Sequence, residues 1–183
     1  MTRTRELYST DELPVVWVTQ SQTAGHTRDN RMYFAERTIY SYGSHFPIAR
    51  IFDAPNGEQV VLVTLRTNSV TTARHIRAVQ SALNRSHRRV VYCLDVDTVH
   101  TIQWSSNLLE FQEDFEAMVD KHAEARVDST KRWYASCLYQ HARQAKIYCE
   151  VMRLPVPLWA MIPEGIDYGD ALKAALIIHG GDS

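Results

Sequence analysis

Ten residues, Asn68–Arg77 (NSVTTARHIR), carry two arginines, a histidine and four hydroxyl or amide side chains without one acid. Ile76, Val79, Ala82 and Leu83 fall at helical spacing, so the segment predicts a helix from about Val70–Thr72 to Asn84. Ser69, Thr71 or Thr72 would cap it. A helix start offers unsatisfied N–H groups and a partial positive charge. Acids usually occupy that first turn; here it holds Thr71, Thr72, Arg74, His75 and Arg77. An anion docked there would turn the adverse arginine–dipole contact into a favourable one, so phosphate binding is the chemistry on offer. A plain Ser/Thr cap with solvated arginines is the commoner outcome for such a pattern.

A second group surrounds Gly43: Tyr40, Tyr42, His45 and Phe46. If the chain is extended through Ser41, Tyr40 and Tyr42 share a strand face. Two rings on one face could stack on unpaired bases while Arg37, Arg50 and Arg66 hold phosphates. The competing reading is a core strand with a tight turn, because tyrosine is common in strands. Arg85, His87, Arg88 and Arg89 add a basic loop after the helix, for which solvated charge is the simpler account.

Asp95 and Asp97 sit two apart at the end of a strand and point to one face. With His100 they could hold Mg²⁺ or Mn²⁺ for phosphodiester chemistry. No lysine or glutamate follows at a nuclease spacing, and aspartates often simply end strands. His122 and His141 lie on apolar faces of two helices and could meet across an antiparallel pair; hydrogen-bonded core histidine is the default for both. His75 and His45 are candidates for an acid–base pair in metal-free RNA cleavage. Cys93, Cys137 and Cys149 form no CxxC pair and read as reduced, buried small hydrophobes. No P-loop, dinucleotide fingerprint, nucleophile elbow or HExxH is present. An enzyme is therefore less expected than a binding protein, and no cofactor is implied.

The elements that must position these residues divide the chain. Val15–Gln20 reads as a β-branched strand, Arg31–Ser41 as a partly alternating strand, and Phe46–Phe52 as a strand whose Pro47 marks an edge or a start. Ala54-Pro55-Asn56-Gly57 is a turn signal joining Phe46–Phe52 to Glu58–Arg66 as a hairpin. Arg88–Val96 predicts a strand apolar on both faces. Asn107 with Glu110 resembles a capping box, opening a helix that runs to about Arg126. Asp128 or Ser129 caps the next helix, ended by Pro155 and Pro157. Pro163–Gly169 reads as a loop and Asp170–His179 as a last short helix. The expectation is a polar lead-in over 1–14 and a single α+β domain over 15–183, strand-rich over 15–104 and helical over 105–183. Its mostly antiparallel sheet carries one internal helix and packs against C-terminal helices.

The chain has 183 residues and a net charge of −1, with 45% hydrophobic content, which suffices for a core. Residues 1–92 hold twelve arginines, no lysine and seven acids, and the rest of the chain is correspondingly acidic. That segregation suggests a basic face, an attraction between the halves, or head-to-tail self-association into a homo-oligomer. No apolar stretch is long enough to span a bilayer and no signal-peptide pattern opens the chain, so no membrane partner is expected and a cytoplasmic protein is.

The string Ile39-Tyr40-Ser41-Tyr42-Gly43-Ser44-His45-Phe46-Pro47-Ile48-Ala49 resembles a family of small uncharacterised bacteriophage and mobile-element proteins. So does the run from Trp17-Val18-Thr19-Gln20-Ser21-Gln22, through Asn30 and Phe34, to Ser69–His75. The resemblance spans about residues 15–85. It implies a viral protein expressed inside a bacterial cell, and it brings no activity or residue roles. The leading expectation is a phage accessory protein that binds nucleic acid or another phosphate-bearing ligand. The rivals are an interaction module acting on a host protein, and a metal-dependent nuclease.

Overall fold

The computed structural model describes residues 7–43, 46–97 and 101–161. The chain divides into two compact units, Met1–Val99 and His100–Ser183. It is an α+β protein. The first unit holds strands β1 (Leu7–Tyr8), β2 (Ala24–Thr27), β3 (Met32–Ala35), β4 (Thr38–Ser41), β5 (Pro47–Asp53), β6 (Gln59–Thr64) and β7 (Arg89–Cys93). Helix α1 (Leu13–Thr19) joins β1 to β2, and α2 (Val70–Leu83) joins β6 to β7. Spatial order equals sequence order across the seven-stranded sheet. The pairs β1–β2 and β6–β7 are parallel, as helical crossovers require, and the four pairs between them are antiparallel.

Both helices lie on one face of the sheet, where α1 packs against α2. Leu13, Trp17 and Val18 of α1 meet Ile76, Val79 and Leu83 of α2 in a core completed by Met32, Phe34, Ile39, Ile51, Val61 and Val63. Because strand side chains alternate, Tyr33 and Tyr40 stand on the opposite face.

The expected strand over Val15–Gln20 is a helix instead. Its start is written in Ser9 and Glu12. The Glu12 carboxylate accepts from Ser9 N at 3.0 Å, and Ser9 Oγ accepts from Glu12 N at 3.2 Å, which is a reciprocal capping box. Pro14 occupies the first turn, where its missing N–H costs nothing. The helix stops at Gln20, which is left-handed at φ 51°. So the sheet's first half carries two helices rather than one, and residues 7–14 of the polar lead-in supply β1 and the start of α1.

Arg31–Ser41 is likewise two strands, β3 and β4, folded at Glu36-Arg37 with Glu36 at φ 50°. The hairpin across Asn56-Gly57 is present: Asp53 pairs with Gln59 and Ile51 with Val61, with Gly57 at φ 89°. Pro47 begins β5 as expected, but β5 is an interior strand. Strand β7 lies at the sheet edge, with Val91 and Cys93 buried and Val90 and Tyr92 half-buried, so it is not closed on both faces.

Gly25 pairs with Phe34, whose ring lies over it. A Cβ at Gly25 would stand 2.8 Å from Phe34 Cε1 and 3.0 Å from Tyr8 Cε2. Both rings are buried, so neither can swing into solvent. Gly25→Ala is expected to destabilise the unit by about 1–3 kcal/mol, read as a lowered urea midpoint at unchanged slope.

In the second unit, α3 (Thr101–Glu124) and α4 (Asp128–Met152) form an antiparallel hairpin, followed by a 3-10 turn at Leu158–Ala160. Phe111, Phe115 and Val119 of α3 and Leu138, Ala142, Ala145 and Tyr148 of α4 are buried. Asn107 does not open α3; it lies inside the helix, buried, and its amide donates to Tyr148 Oη at 3.3 Å. The cap residue of α4 is Val127, with Asp128 in the first turn. Arg153 ends α4 at φ 54°, and Leu154 N donates to Cys149 O at 2.9 Å before Pro155. The expected loop over 163–169 and helix over 170–179 lie outside the described residues. No helix among the described residues is long and apolar enough to cross a membrane.

Candidate nucleic-acid interface

Helix α2 starts where the sequence places it, and its tip is already occupied. Ser69 Oγ accepts from Thr72 N at 3.1 Å and hydrogen-bonds Thr72 Oγ1 at 3.0 Å. Thr72 is buried and Thr71 half-buried, so the hydroxyl and amide expected to greet an anion close the cap instead. Arg74 and Arg77 are exposed. Arg74 borders an open cleft of about 480 Å³, shared with Arg28, Asp11, Glu12 and Asp29. Carboxylates thus face the guanidinium groups there, and the cleft does not present a surplus of positive charge.

His75 points inward. Its Nδ1 lies 2.8 Å from the buried Ser41 Oγ, and Tyr42 covers its ring with centroids 5.9 Å apart. The Arg31 guanidinium stands over the Tyr42 ring, 5.9 Å from its centroid. Burial holds the His75 imidazole below its ordinary value. Asp29 works against that shift, while Arg74 and Arg31 reinforce it. The unfolded chain therefore binds this proton more readily than the folded one. Stability from His75 is whole above its ordinary pKa of 6.5 and is lost as pH falls through the lower folded value. The His75 Cε1–H resonance is expected to titrate with a midpoint below 6.5, and His75→Asn to flatten the acid limb of the urea midpoint. His141 contributes with the same sign, since burial depresses it too.

The other sequence candidates separate. Tyr42 leaves the strand at φ 57°, so it does not share a face with Tyr40. His45 and His100 lie outside the described residues. Arg37 pairs with Asp53, Arg50 with Asp97 at 3.3 Å, and Arg89 with Glu58 at 2.7 Å. Arg88 bonds Gln59 and the Val18 carbonyl. Asp95 turns its carboxylate onto Asp97 N at 2.9 Å. No metal-holding cluster of three such groups exists among the described residues. His141 Nε2–H donates to Phe111 O at 2.9 Å. Phe111 precedes His122 by about 16 Å of helix, so the two histidines do not meet there. Burial pushes the Cys149 thiol up to about 11 and raises Cys93 and Cys137, which keeps all three as thiols.

The outer sheet face assembles what the helix tip does not. Cross-strand register places Leu7, His26, Tyr33, Tyr40 and Pro47 in one row over β1 to β5. Tyr33 and Tyr40 are half-buried and stack with centroids 4.8 Å apart and planes at 11°. His26 Nδ1 hydrogen-bonds Thr27 O at 3.0 Å, which fixes the ring's orientation. Beside Tyr33 opens a hollow of about 420 Å³, with Ala24, Ala35, His26 and Asn30 among its lining. No carboxylate lines it. Arg28 and Arg31 occupy the β2–β3 turn that also carries Asn30, and Arg50 stands on the same sheet face.

Tyr33 and His26 were not expected as site residues from the sequence. The signal for Tyr33 was period-two alternation within MYFA and TIYS, which emerges only once the hairpin at Glu36-Arg37 is seen.

No family model, curated protein or solved structure matches this chain.

Proposed function

We propose that the first unit binds single-stranded nucleic acid on its outer sheet face, with bases stacked against the Tyr33–Tyr40 pair. The observation that carries this is the row of ring side chains, set across neighbouring strands of a sheet whose other face is closed by helices. Aromatic rings on such a face accept any base, because every base has a π-face. Arg31 in the β2–β3 turn, 3.8 Å from Asp29, and Arg50, 3.3 Å from Asp97, supply charge for the backbone once those carboxylates exchange for phosphate. The reading moves the ligand from the α2 tip to the sheet. It keeps the ligand class expected from the sequence. The context proposed with it, on the sequence resemblance, is a phage accessory protein in a bacterial host cell.

The test is fluorescence anisotropy with labelled single- and double-stranded DNA and RNA over a salt series. Single strands are expected to bind more tightly than duplex. The log–log salt slope should be about −0.7 per phosphate held, hence shallow, about −1.4 for two arginines. Equal affinity for duplex, or no binding at low salt, overturns the proposal.

A further inference from the structure

In the second unit, α3 and α4 each turn a stripe of one dominant charge sign away from their packed faces, and the two signs are opposite. On α3, Leu109, Glu113, Glu116, Asp120 and Glu124 recur at spacings of three or four and so share one face. Glu116 is half-buried and the others are exposed, while Phe111, Phe115 and Val119 are buried on the other side of the helix. On α4, Arg132, Ser136, Gln140 and Arg143 share a face by the same spacing, with Trp133 beside Arg132 and Glu150 at the far end. None of Glu113, Asp120, Glu124, Arg132 and Arg143 makes an ion pair with another described residue. Like charges at the α3 spacings cost an isolated helix stability, and no ion pair among the described residues offsets that. Each face also leaves a large apolar side chain in solvent. Leu109 is 62% exposed and Trp133 60%, its indole held edge-on to Tyr134 with centroids 4.8 Å apart. Tryptophan is enriched among the residues that carry interface energy.

We infer that copies of this chain associate head to tail, the acidic α3 face of one copy docking on the basic α4 face of the next. One chain carries both halves of the contact on different helices, so the interface joins unlike surfaces. Charge complementarity selects this arrangement: α3 against α3 brings carboxylates together and α4 against α4 brings guanidinium groups together, and both repel. Trp133 and Leu109 supply the apolar part of the contact. The charge that the α3 stripe accumulates at a cost within one chain is neutralised by the next.

The test is sedimentation velocity of the full chain, freed of nucleic acid, over a concentration series at low and high salt. Mass is expected to rise with concentration at low salt and to fall back to the monomer at high salt, because exposed charges are screened. Two neutralised variants resolve the geometry. Glu113→Gln with Asp120→Asn and Glu124→Gln removes the acidic face, and Arg132→Gln with Arg143→Gln removes the basic one. All five side chains are exposed, so helicity by circular dichroism should match the native protein. Each variant alone should stay monomeric. Their mixture should give a one-to-one complex and nothing larger, since each retains the half that the other lacks. Trp133→Ala should weaken association of the otherwise native chain by about 30-fold or more. A native chain that is monomeric at every concentration, or self-association indifferent to salt, overturns the proposal. A mixture of the two variants that stays monomeric overturns it as well. Unchanged association of Trp133→Ala removes the indole from the contact.

Discussion

Trp17→Ala is expected to lower the unfolding free energy of the first unit by about 3–5 kcal/mol, read from denaturant midpoints followed by far-UV circular dichroism. Trp17 is fully buried at the centre of the α1–α2–sheet core. It is the largest side chain there, and α1 is only seven residues long. Such a helix has little stability of its own and holds by its packed face. The indole N–H adds a finer expectation. Nε1 has no hydrogen-bond partner among the described residues. An orphaned buried donor costs about 1–3 kcal/mol. Trp17→Phe discards that donor along with some apolar surface, so the two effects oppose. It is expected to cost less than half of what Trp17→Ala costs. Equal losses for both variants would show that the N–H is satisfied and that the indole's shape alone matters.

The parts of the fold legible in the sequence share one property: a local chemical signal agreed with the final structure. Asn56-Gly57 supplied the positive φ its hairpin needs, and Ser69 supplied an N-cap before a clean helical period. The misread parts are those where tertiary packing overrode propensity. Val15, Val16 and Val18 are strand formers, yet Leu13, Trp17 and Val18 are spaced for one helical face and are buried on it. The capping box of Ser9 and Glu12 and the early proline were present as signals and outweigh β-branching when weighed together. At Glu36 there was no signal to weigh. A two-residue hairpin favours Gly or Asn, and glutamate holds the left-handed conformation here between β3 and β4, its N–H donating to Thr23 O at 2.6 Å and its carbonyl accepting from Gln20 Nε2 at 3.2 Å. That single concealed turn hid the ring row as well, since pairing Tyr33 with Tyr40 requires knowing where β3 ends. It also explains why Tyr42, two residues after Tyr40, is no partner to it: the strand stops at Ser41 and the chain twists Tyr42 over His75.

This difference makes Tyr42 the control for the binding face. Tyr33→Leu and Tyr40→Leu are each expected to weaken single-strand binding by about 5- to 150-fold, the worth of about 1–3 kcal/mol per stacked base. Tyr33→Phe and Tyr40→Phe keep the ring and should stay near native affinity. Tyr42→Leu should leave affinity unchanged while shifting the His75 titration, because Tyr42 covers that imidazole and stands off the row. The tyrosines of the row also stack on each other, a contact worth about 0.5–1.5 kcal/mol of stability. The Leu variants are therefore to be measured below their own unfolding transitions, so that lost binding is not lost folding. Since removing either ring frees a face of the other, the double variant should lose less than the two single losses combined. A loss confined to Tyr42→Leu would return the ligand to the α2 tip and take it away from the sheet. A loss shared by Tyr33 and Tyr40 alone assigns the bases to the outer face, where the register of β2, β3 and β4 has already lined up their rings.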